Sequence, residues 1–297
     1  MSTSPWERVQ ELQGNPKNSP AQIRRERQQI QTYDETTRTS GIKLMVDGPP
    51  KIGKSVFAAS ACLLDEEIVI EDFIHIPSPA PVIFLDTEFS AHWLGKFYGE
   101  QMKEGKLQFI DVLVENEETG EIDPCESWET FWNELVARRN MDQGTLVIDS
   151  LSDIFQWINS YLRIKILHVS KEDNILPSQW YWRNDKWESL LKMLRKMKCN
   201  VIATSKVKEE WGVIALPGQE SARLQKTGNL VPLVSAVTPY WFDIIMKMRT
   251  NYDDDGIPTR IGLITGARAG ISDLSLEKPN MEKVFNAIKN VKPELEW

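Results

Sequence analysis

The sequence predicts an α/β fold in which a mostly parallel sheet carries helices on both faces and an antiparallel hairpin forms its C-terminal edge. From residue 41 onward, short apolar runs that end in a polar residue alternate with amphipathic helical segments, which is the pattern of parallel strands joined by crossover helices. Residues 243–250 and 259–264 are two further strand-like runs, and the turn-forming residues 253–256 between them predict the hairpin.

The individual elements follow from the same pattern. Each expected strand is a short apolar run that suits burial on both faces, and the expected helices have apolar residues at helical spacing. Strands are expected at residues 42–46, 81–85, 107–114, 145–148 and 200–204, and helices at residues 54–64, 91–104, 128–139, 151–162, 182–198 and 281–291. Residues 206–240 show no clear pattern and are predicted to be irregular, although few connections in compact domains are so long.

The chain is predicted to have three regions. Residues 1–40 are polar and form an N-terminal extension, residues 41–270 form the α/β core, and residues 271–297 form a C-terminal helical tail. Arg24, Arg25 and Arg27 in the extension have two interpretations: a contact with DNA or with a neighbouring subunit, or a solvated charged helix, which is the commoner case.

The composition limits the function classes. The chain has 43 acidic and 35 basic residues and a formal net charge of −8, which argues against coating nucleic acid through overall charge but leaves room for a local basic groove. Cys62, Cys125 and Cys199 lack paired ligand spacing and indicate reduced thiols. No apolar run approaches the roughly 18 residues of a membrane span, so we expect a cytoplasmic protein with no membrane contact.

The segment from Gly48 to Ser55 has the spacing G-x-x-x-x-G-K-S, and it lies between a predicted strand and a predicted helix. Phosphate oxygens need several converging backbone N–H groups, and glycine lets the backbone approach them closely. Lys54 is expected to neutralise the β- and γ-phosphates and Ser55 to coordinate Mg²⁺. A chance match in a turn is the alternative, which the flanking strand and helix disfavour. The residues expected to bind the nucleotide are Gly48, Pro49, Pro50, Lys51, Ile52, Gly53, Lys54, Ser55 and Val56.

Two further apolar runs end in acids. Asp149 follows residues 145–148 and is a candidate Mg²⁺ ligand beside the phosphate loop, with a helix N-cap as the alternative. Asp86 follows residues 81–85, and Glu88 comes two positions later. Glu88 is the candidate base that holds and deprotonates the attacking water, and Asp86 is a supporting acid near the metal. The alternative is a pair of solvated loop carboxylates.

The order GPxxxGKS, a strand ending DTE and a strand ending IDS resembles the RecA-type core ATPases over roughly residues 41–268. This class includes recombinases, DnaB-type replicative helicases and small phage and archaeal RecA-like NTPases. The resemblance implies a RecA-like sheet and a catalytic glutamate at the position of Glu88. The AAA+ arrangement places the base directly after the Walker B aspartate and is disfavoured, because Ser150 follows Asp149 here.

The resemblance also implies residues that act between subunits. Ser205 or Lys206, after the strand that follows Asp149, occupies the place of a γ-phosphate sensor, although the family's usual Asn-Gln pair is absent. Lys247 and Arg249 resemble the Lys-x-Arg finger that reaches a neighbour's γ-phosphate, and such a finger requires a head-to-tail ring or filament. The alternative is an ordinary pair of solvent-facing cations on an edge strand.

The same resemblance places DNA-binding loops in the irregular segment. Its cations and Trp211 suit single-stranded DNA, whereas its glutamates dilute the charge. The cations are Lys206, Lys208, Arg223 and Lys226. The aromatic cluster 180–187 is a possible stacking platform, but tryptophans at the start of a helix more often pack in the core.

The sequence therefore predicts an ATP-hydrolysing RecA-like protein that acts on single-stranded DNA in recombination, annealing or replication and assembles head-to-tail. The alternative from another class is an ATP-dependent regulator or assembly factor that binds protein, which the acidic composition favours. A metabolic kinase is weaker, because Asp86 and Glu88 suit phosphate transfer to an acceptor no better than hydrolysis.

Overall fold

The computed structural model describes residues 41–70, 74–170, 173–214, 223–252, 255–267 and 271–290. The predicted extension of residues 1–40, with its three arginines, lies outside these residues. The strands found within the described ranges are β1 (Lys43–Asp47), β2 (Ile68–Ile70), β3 (Ile74–Ile76), β4 (Val82–Asp86), β5 (Leu107–Asp111), β6 (Thr145–Asp149), β7 (Asn200–Ser205), β8 (Val207–Ile214), β9 (Arg223–Pro232), β10 (Ile244–Tyr252), β11 (Pro258–Ala267) and β12 (Ser275–Glu277).

The helices follow the strands in the expected alternation. They are α1 (Lys54–Ala59), α2 (Ala91–Lys103), α3 (Pro124–Arg138), α4 (Leu151–Tyr161), α5 (Tyr181–Lys196) and α6 (Met281–Lys289). Short turns of tighter or wider helix extend α1 through Ser60–Leu63, follow α4 at Leu162–Ile166, and form Pro177–Trp180 and Thr238–Trp241. None of the helices among the described residues has the length and apolar character needed to cross a bilayer.

An eight-stranded sheet organises the chain in the order β12-β11-β10-β1-β7-β6-β4-β5. The strands from β10 to β5 run parallel, whereas β11 and β12 pair antiparallel at the edge. This architecture confirms the predicted fold class. β12 belongs to the region predicted as a helical tail, which thus also contributes a strand to the sheet.

Helices cover both faces of the sheet because its central strands are buried on both sides. Leu44 and Val46 of β1 face a core formed with α1, α2 and α6, which we call the α1 face. Met45 between them faces a core formed with α3, α4 and α5, which we call the α4 face. Such alternation follows from the period of two along a strand.

The predicted bounds differ from the structure by a few residues at the ends of helices and of strands such as β5 and β11. α3 begins at Pro124, one turn before the predicted start, because the Asp123 carboxylate accepts hydrogen bonds from the backbone N–H groups of Cys125 (2.8 Å) and Glu126 (3.1 Å). α1 is only six residues long before its backbone tightens.

The segment predicted to be irregular contains regular structure, so that prediction is wrong. β8 and β9 pair antiparallel in a separate two-stranded sheet, which we call the arm. Residues 207–214 combine β-branched and aromatic side chains with charged ones. Because the strand has no buried face, its sequence shows no alternation of apolar and polar residues that would indicate a strand. The short β2–β3 hairpin was also missed.

Trp182 and Trp187 of the aromatic cluster 180–187 pack against the core, in line with the second interpretation, whereas Tyr181 is exposed. Trp187 is buried, its indole N–H donates to the Thr238 hydroxyl at 3.0 Å, and its ring meets Phe155 edge-on at 4.9 Å. Trp182 stacks on Tyr161 with ring centroids 5.5 Å apart. These contacts join α5 to α4 and to the turn before β10.

Candidate functional site

The carboxyl ends of the parallel strands bring acidic and hydroxyl side chains to one edge of the sheet. Asp47, Asp86 and Asp149 are the last residues of β1, β4 and β6. In the strand register, Asp86 lies beside Asp149 and Asp47 beside Ser205. Alternation of side chains along the strands divides these residues: Asp86 and Asp149 belong to the α1 face, and Asp47 and Ser205 to the α4 face.

The predicted phosphate loop connects β1 to α1 on the α1 face, and its two glycines have separate structural reasons. Gly53 has a left-handed φ of 102°, which a side chain would strain. At Gly48, a Cβ atom would lie 2.7 Å from the backbone oxygen of Met248 on β10. The loop therefore needs glycine at both positions to close tightly against the sheet.

Lys54 is the buried cation of this loop. Its Nζ donates hydrogen bonds to the backbone oxygens of Gly48 and Pro49, both at 3.0 Å. Burial lowers the pKa of Lys54, whereas the carboxylates of Glu88 and Asp149 raise it. The positive charge is thus held at the mouth of the loop and close to the two predicted acids.

Asp149 is almost fully buried, and two hydroxyl groups hold its carboxylate. It accepts hydrogen bonds from Thr204 and, at 3.0 Å, from Ser90, and the Ser55 hydroxyl lies close enough to lower its pKa. Burial raises the pKa of Asp149, while these hydrogen bonds lower it. The N-cap of α4 is Ser150 rather than Asp149, so the alternative reading of Asp149 as a helix cap does not describe its position.

Asp86 has a different environment from the one predicted for a metal ligand. Its Oδ1 accepts a hydrogen bond from the backbone N–H of Glu88 at 3.0 Å, and its Oδ2 accepts one from that of Ala91 at 3.1 Å. Burial raises the pKa of Asp86, and these backbone hydrogen bonds lower it. Because both oxygens bind the following turn, we assign Asp86 the role of shaping the turn that carries Glu88.

The Glu88 side chain is 33% exposed and takes part in an ion pair. The Lys206 Nζ lies 3.1 Å from Glu88 Oε1 and donates to Asp153 Oδ1 at 2.7 Å. Burial and the nearby Asp149 carboxylate raise the pKa of Glu88, and Lys206 lowers it. Lys206, which the sequence suggested as a sensor, thus contacts the predicted base directly.

The predicted finger residues lie on the α4 face of β10. Met246 and Met248 are buried on the α1 face, so Lys247 and Arg249 alternate with them on the other side. Lys247 lies beside Asp47 in the register, and Asp47 Oδ2 is buried with no hydrogen-bond partner among the described residues. Burial raises the pKa of Asp47 to about 6, although the Lys247 ammonium lowers it.

A cavity of about 590 Å³ adjoins the phosphate loop on the side of the β10–β11 hairpin. Its wall includes the exposed Tyr252 ring, Arg260 and Lys278. The Arg260 guanidinium lies over the loop, because a Cβ atom at Gly53 would be 2.9 Å from one of its nitrogens. The cavity therefore combines an aromatic ring and cations within reach of the predicted phosphate site.

Sequence reasoning missed four residues of this edge. Asp47 directly precedes Gly48, and Ser90 and Asp153 lie within four residues of the predicted acids, so proximity to the motifs was an available signal. Arg260 gave no signal, because only the antiparallel pairing of β11 with β10 brings it to the loop.

The comparisons with known proteins concern the same region. A protein-family model described as an AAA domain matches residues 40–271, which is more than half of the chain. The sequence matched no curated protein. One matching solved structure is described as "Structural and biochemical analysis of a prototypical ATPase from the type III secretion system of pathogenic bacteria", with 10% identity and a TM-score of 0.40. That match covers 71% of this chain and 52% of the other, so this chain spans about half its length.

Proposed function

The chain belongs to the AAA domain family of P-loop NTPases, although Ser150 rather than an acid follows Asp149, and from this premise we propose that it hydrolyses ATP with Mg²⁺ at the carboxyl edge of its sheet. The observation that carries the proposal is the position of the buried Asp149 carboxylate beside the phosphate loop, close enough for the Ser55 hydroxyl to lower its pKa. A hydroxyl from the loop thus lies near a strand-end acid, and Lys54 and Glu88 lie beside them. The narrower likeness to small phage and archaeal RecA-like NTPases remains part of the proposal.

In this proposal the phosphates of ATP lie in the loop from Gly48 to Val56. The backbone N–H groups of the loop bind phosphate oxygens, and Lys54 exchanges its two carbonyl partners for the β- and γ-phosphates. That exchange is favourable because a buried ammonium gains more from an anion than from neutral carbonyl oxygens.

The donor set on the α1 face suits Mg²⁺. The Ser55 hydroxyl and the Asp149 carboxylate are the hard oxygen donors that this ion takes, and Mg²⁺ when bound neutralises charge on the phosphates. Among the described residues, no group of three or more His, Cys, Asp or Glu side chains is arranged to hold a metal, which fits an ion held partly by its nucleotide.

Glu88 is the proposed base. It lies at the end of β4, close enough to Lys54 and Asp149 for their charges to influence one another, and a carboxylate there can orient a water and accept its proton. Asp86 fixes the backbone of the same turn. The nucleoside is proposed to occupy the adjoining cavity, where Tyr252 offers an aromatic surface.

The test separates binding from hydrolysis. Lys54→Ala should lose MgATP binding, measured with a fluorescent ATP analogue, and should lose steady-state turnover. Glu88→Gln should bind the analogue with unchanged affinity but turn over at least about a hundredfold more slowly, in line with the contribution of a general base. Glu188→Gln is the matched control, because Glu188 also pairs with a lysine, Lys192 at 2.9 Å, on α5.

Wild-type turnover in Glu88→Gln would exclude Glu88 as the base. If the wild-type chain does not bind MgATP at all, the proposed function is wrong.

Single-stranded DNA is the proposed partner of the arm, and a protein is the second candidate. Trp211 is 59% exposed beside a cavity of about 810 Å³ that Lys208 and Lys226 also line, which supports DNA. Lys226 is ion-paired with Glu209, which weakens the positive charge of the arm and supports a protein partner. Oligonucleotide binding that falls steeply with salt supports DNA, and no binding at low salt excludes it.

A further inference from the structure

Lys206 connects three parts of the molecule: the turn that carries the proposed base, the helix beside that turn, and the start of the arm. Its ammonium is shared between Glu88 Oε1 at 3.1 Å and Asp153 Oδ1 at 2.7 Å. Glu88 belongs to the turn after β4, Asp153 to the first turn of α4, and Lys206 itself to the junction between β7 and β8. A single side chain thus joins the proposed base to the helix beside it and to the start of the arm.

Asp153 gives this ion pair a fixed support. Its Oδ2 accepts hydrogen bonds from the hydroxyls of Thr87 at 2.9 Å and Ser150 at 2.7 Å, while its Oδ1 binds Lys206. Thr87 also accepts the backbone N–H of Ser150 at 2.7 Å. The carboxylate on the α4 side of Lys206 is therefore held in place, whereas the Glu88 carboxylate pairs only with Lys206 among the described residues.

The backbone of Lys206 is bound to α4 on one side and to the base of the arm on the other. Its N–H donates to Ser152 Oγ at 2.9 Å, and its carbonyl accepts the N–H of Leu233 at 2.7 Å. Leu233 follows the last residue of β9, and β8 starts one residue after Lys206. The base of the arm is therefore bonded directly to the residue that carries the ion pair, which Ser152 also holds to α4.

We propose that Lys206 is a positioning residue that restrains Glu88 through the ion pair shared with Asp153 and couples the position of the arm to the proposed base. The inference rests on the proposed function for its catalytic meaning. An ammonium that holds the Glu88 oxygen keeps it from the water that this carboxylate has to orient. Movement of the arm base, or competition from the phosphate charge of ATP, releases it.

The experiment compares Lys206→Met with Lys106→Met. Lys106 is a matched control because its ammonium is also shared between two carboxylates, Asp65 at 2.9 Å and Glu104 at 3.8 Å, and its side chain is 39% exposed against 38% for Lys206. Lys106 directly precedes β5, at the opposite edge of the sheet from the candidate site. Lys206→Gln and Lys206→Arg complete the set, the first as a second neutral variant and the second as a charge-retaining one.

The first readout is amide hydrogen exchange of the peptide covering residues 86–91 in the nucleotide-free protein. Lys206→Met and Lys206→Gln should exchange about two- to fivefold faster there than wild type, the range for a partly exposed ion pair, and Lys206→Arg should remain close to wild type. The second readout is turnover without a partner: kcat should rise by about the same factor in the neutral variants, with KM for ATP unchanged. Lys106→Met should alter neither.

Two outcomes overturn the inference. One is exchange in residues 86–91 that is the same in Lys206→Met, Lys206→Gln and wild type, because Lys206 then restrains nothing. The other is a fall in kcat with unchanged exchange, which assigns Lys206 to the phosphates. If wild type does not hydrolyse ATP but the exchange of Lys206→Met rises as expected, the proposed function fails and the restraint remains.

Discussion

Replacing Asp47 by asparagine should remove a pH-dependent loss in the free energy of unfolding that affects the protein at neutral and alkaline pH. Asp47 is 2% exposed, and its Oδ2 has no hydrogen-bond partner among the described residues. Burial raises its pKa to about 6 from an ordinary value of 3.8. The folded state therefore binds this proton more tightly than the unfolded state does.

The sign and size of the effect follow from this pKa difference. Between pH 3.8 and 6 the folded state retains a proton that the unfolded state releases, so stability falls as pH rises, and the loss is complete above about pH 7. A pKa difference of about 2 corresponds to about 3 kcal/mol at 1.36 kcal/mol per unit. Asparagine does not titrate and avoids this pH-dependent loss.

The assay is urea unfolding of nucleotide-free protein at pH 4 and pH 7.5 for wild type and Asp47→Asn. The free energy of unfolding of the variant minus that of wild type should be about 2–3 kcal/mol larger at pH 7.5 than at pH 4, which means that the variant gains relative stability at the higher pH. Any fixed cost of the buried amide donor cancels in this comparison, because it does not depend on pH. Asp111→Asn, at the exposed end of β5, is the control. A relative stability that is equal at both pH values would refute the reasoning.

Two predictions concern the candidate site. Thr204→Val removes a hydroxyl that orients the buried Asp149 carboxylate, so turnover at limiting Mg²⁺ should fall about 10- to 100-fold. Thr145→Val is the control and should leave turnover unchanged. Thr145 is also a buried threonine, but it lies at the start of β6 and donates to a backbone carbonyl at 2.7 Å. Equal Mg²⁺ dependence in both variants would contradict this role. Arg260→Ala removes the guanidinium over Gly53 and should weaken binding of the ATP analogue about three- to tenfold without changing thermal stability. The control, Arg138→Ala on α3, should leave binding unchanged. An unchanged affinity in Arg260→Ala would place the nucleotide elsewhere.

The strands of the core were predictable because burial on both faces produces continuous apolar runs of the length of a strand. The run 145–148 is one example, and β6 extends it by one residue to Asp149. The arm was not predictable by this argument. Its strands pair only with each other and expose Val213 and Leu230, so solvent rather than a core surrounds much of both faces and no hydrophobic period appears.

The site was predictable where chemistry depends on a local motif and unpredictable where it depends on strand order. The phosphate loop is contiguous, so its spacing carries the prediction. The contact between Lys206 and Glu88 depends on the order β1-β7-β6-β4, which brings the end of β7 close to the turn after β4 although 118 positions separate the two residues. The pairing of Asp47 with Lys247 depends in the same way on β10 joining β1 in parallel register.

The division of the edge into two faces bears on the proposed head-to-tail assembly. The proposed phosphate site lies on the α1 face, whereas Lys247 and Arg249 lie on the α4 face of β10. If these cations serve a phosphate site in trans, the α4 side of one chain must pack against the α1 side of the next, which is a heterologous contact and generates a ring or filament.

Lys247 and Arg249 are not equivalent in this role. Lys247 is half-buried and attracted to Asp47 of its own chain, so reaching a neighbour would expose that buried carboxylate without a counter-charge. Arg249 is exposed and two residues further along the strand, so of the two proposed fingers it is the one that can reach a neighbour without disturbing its own phosphate loop.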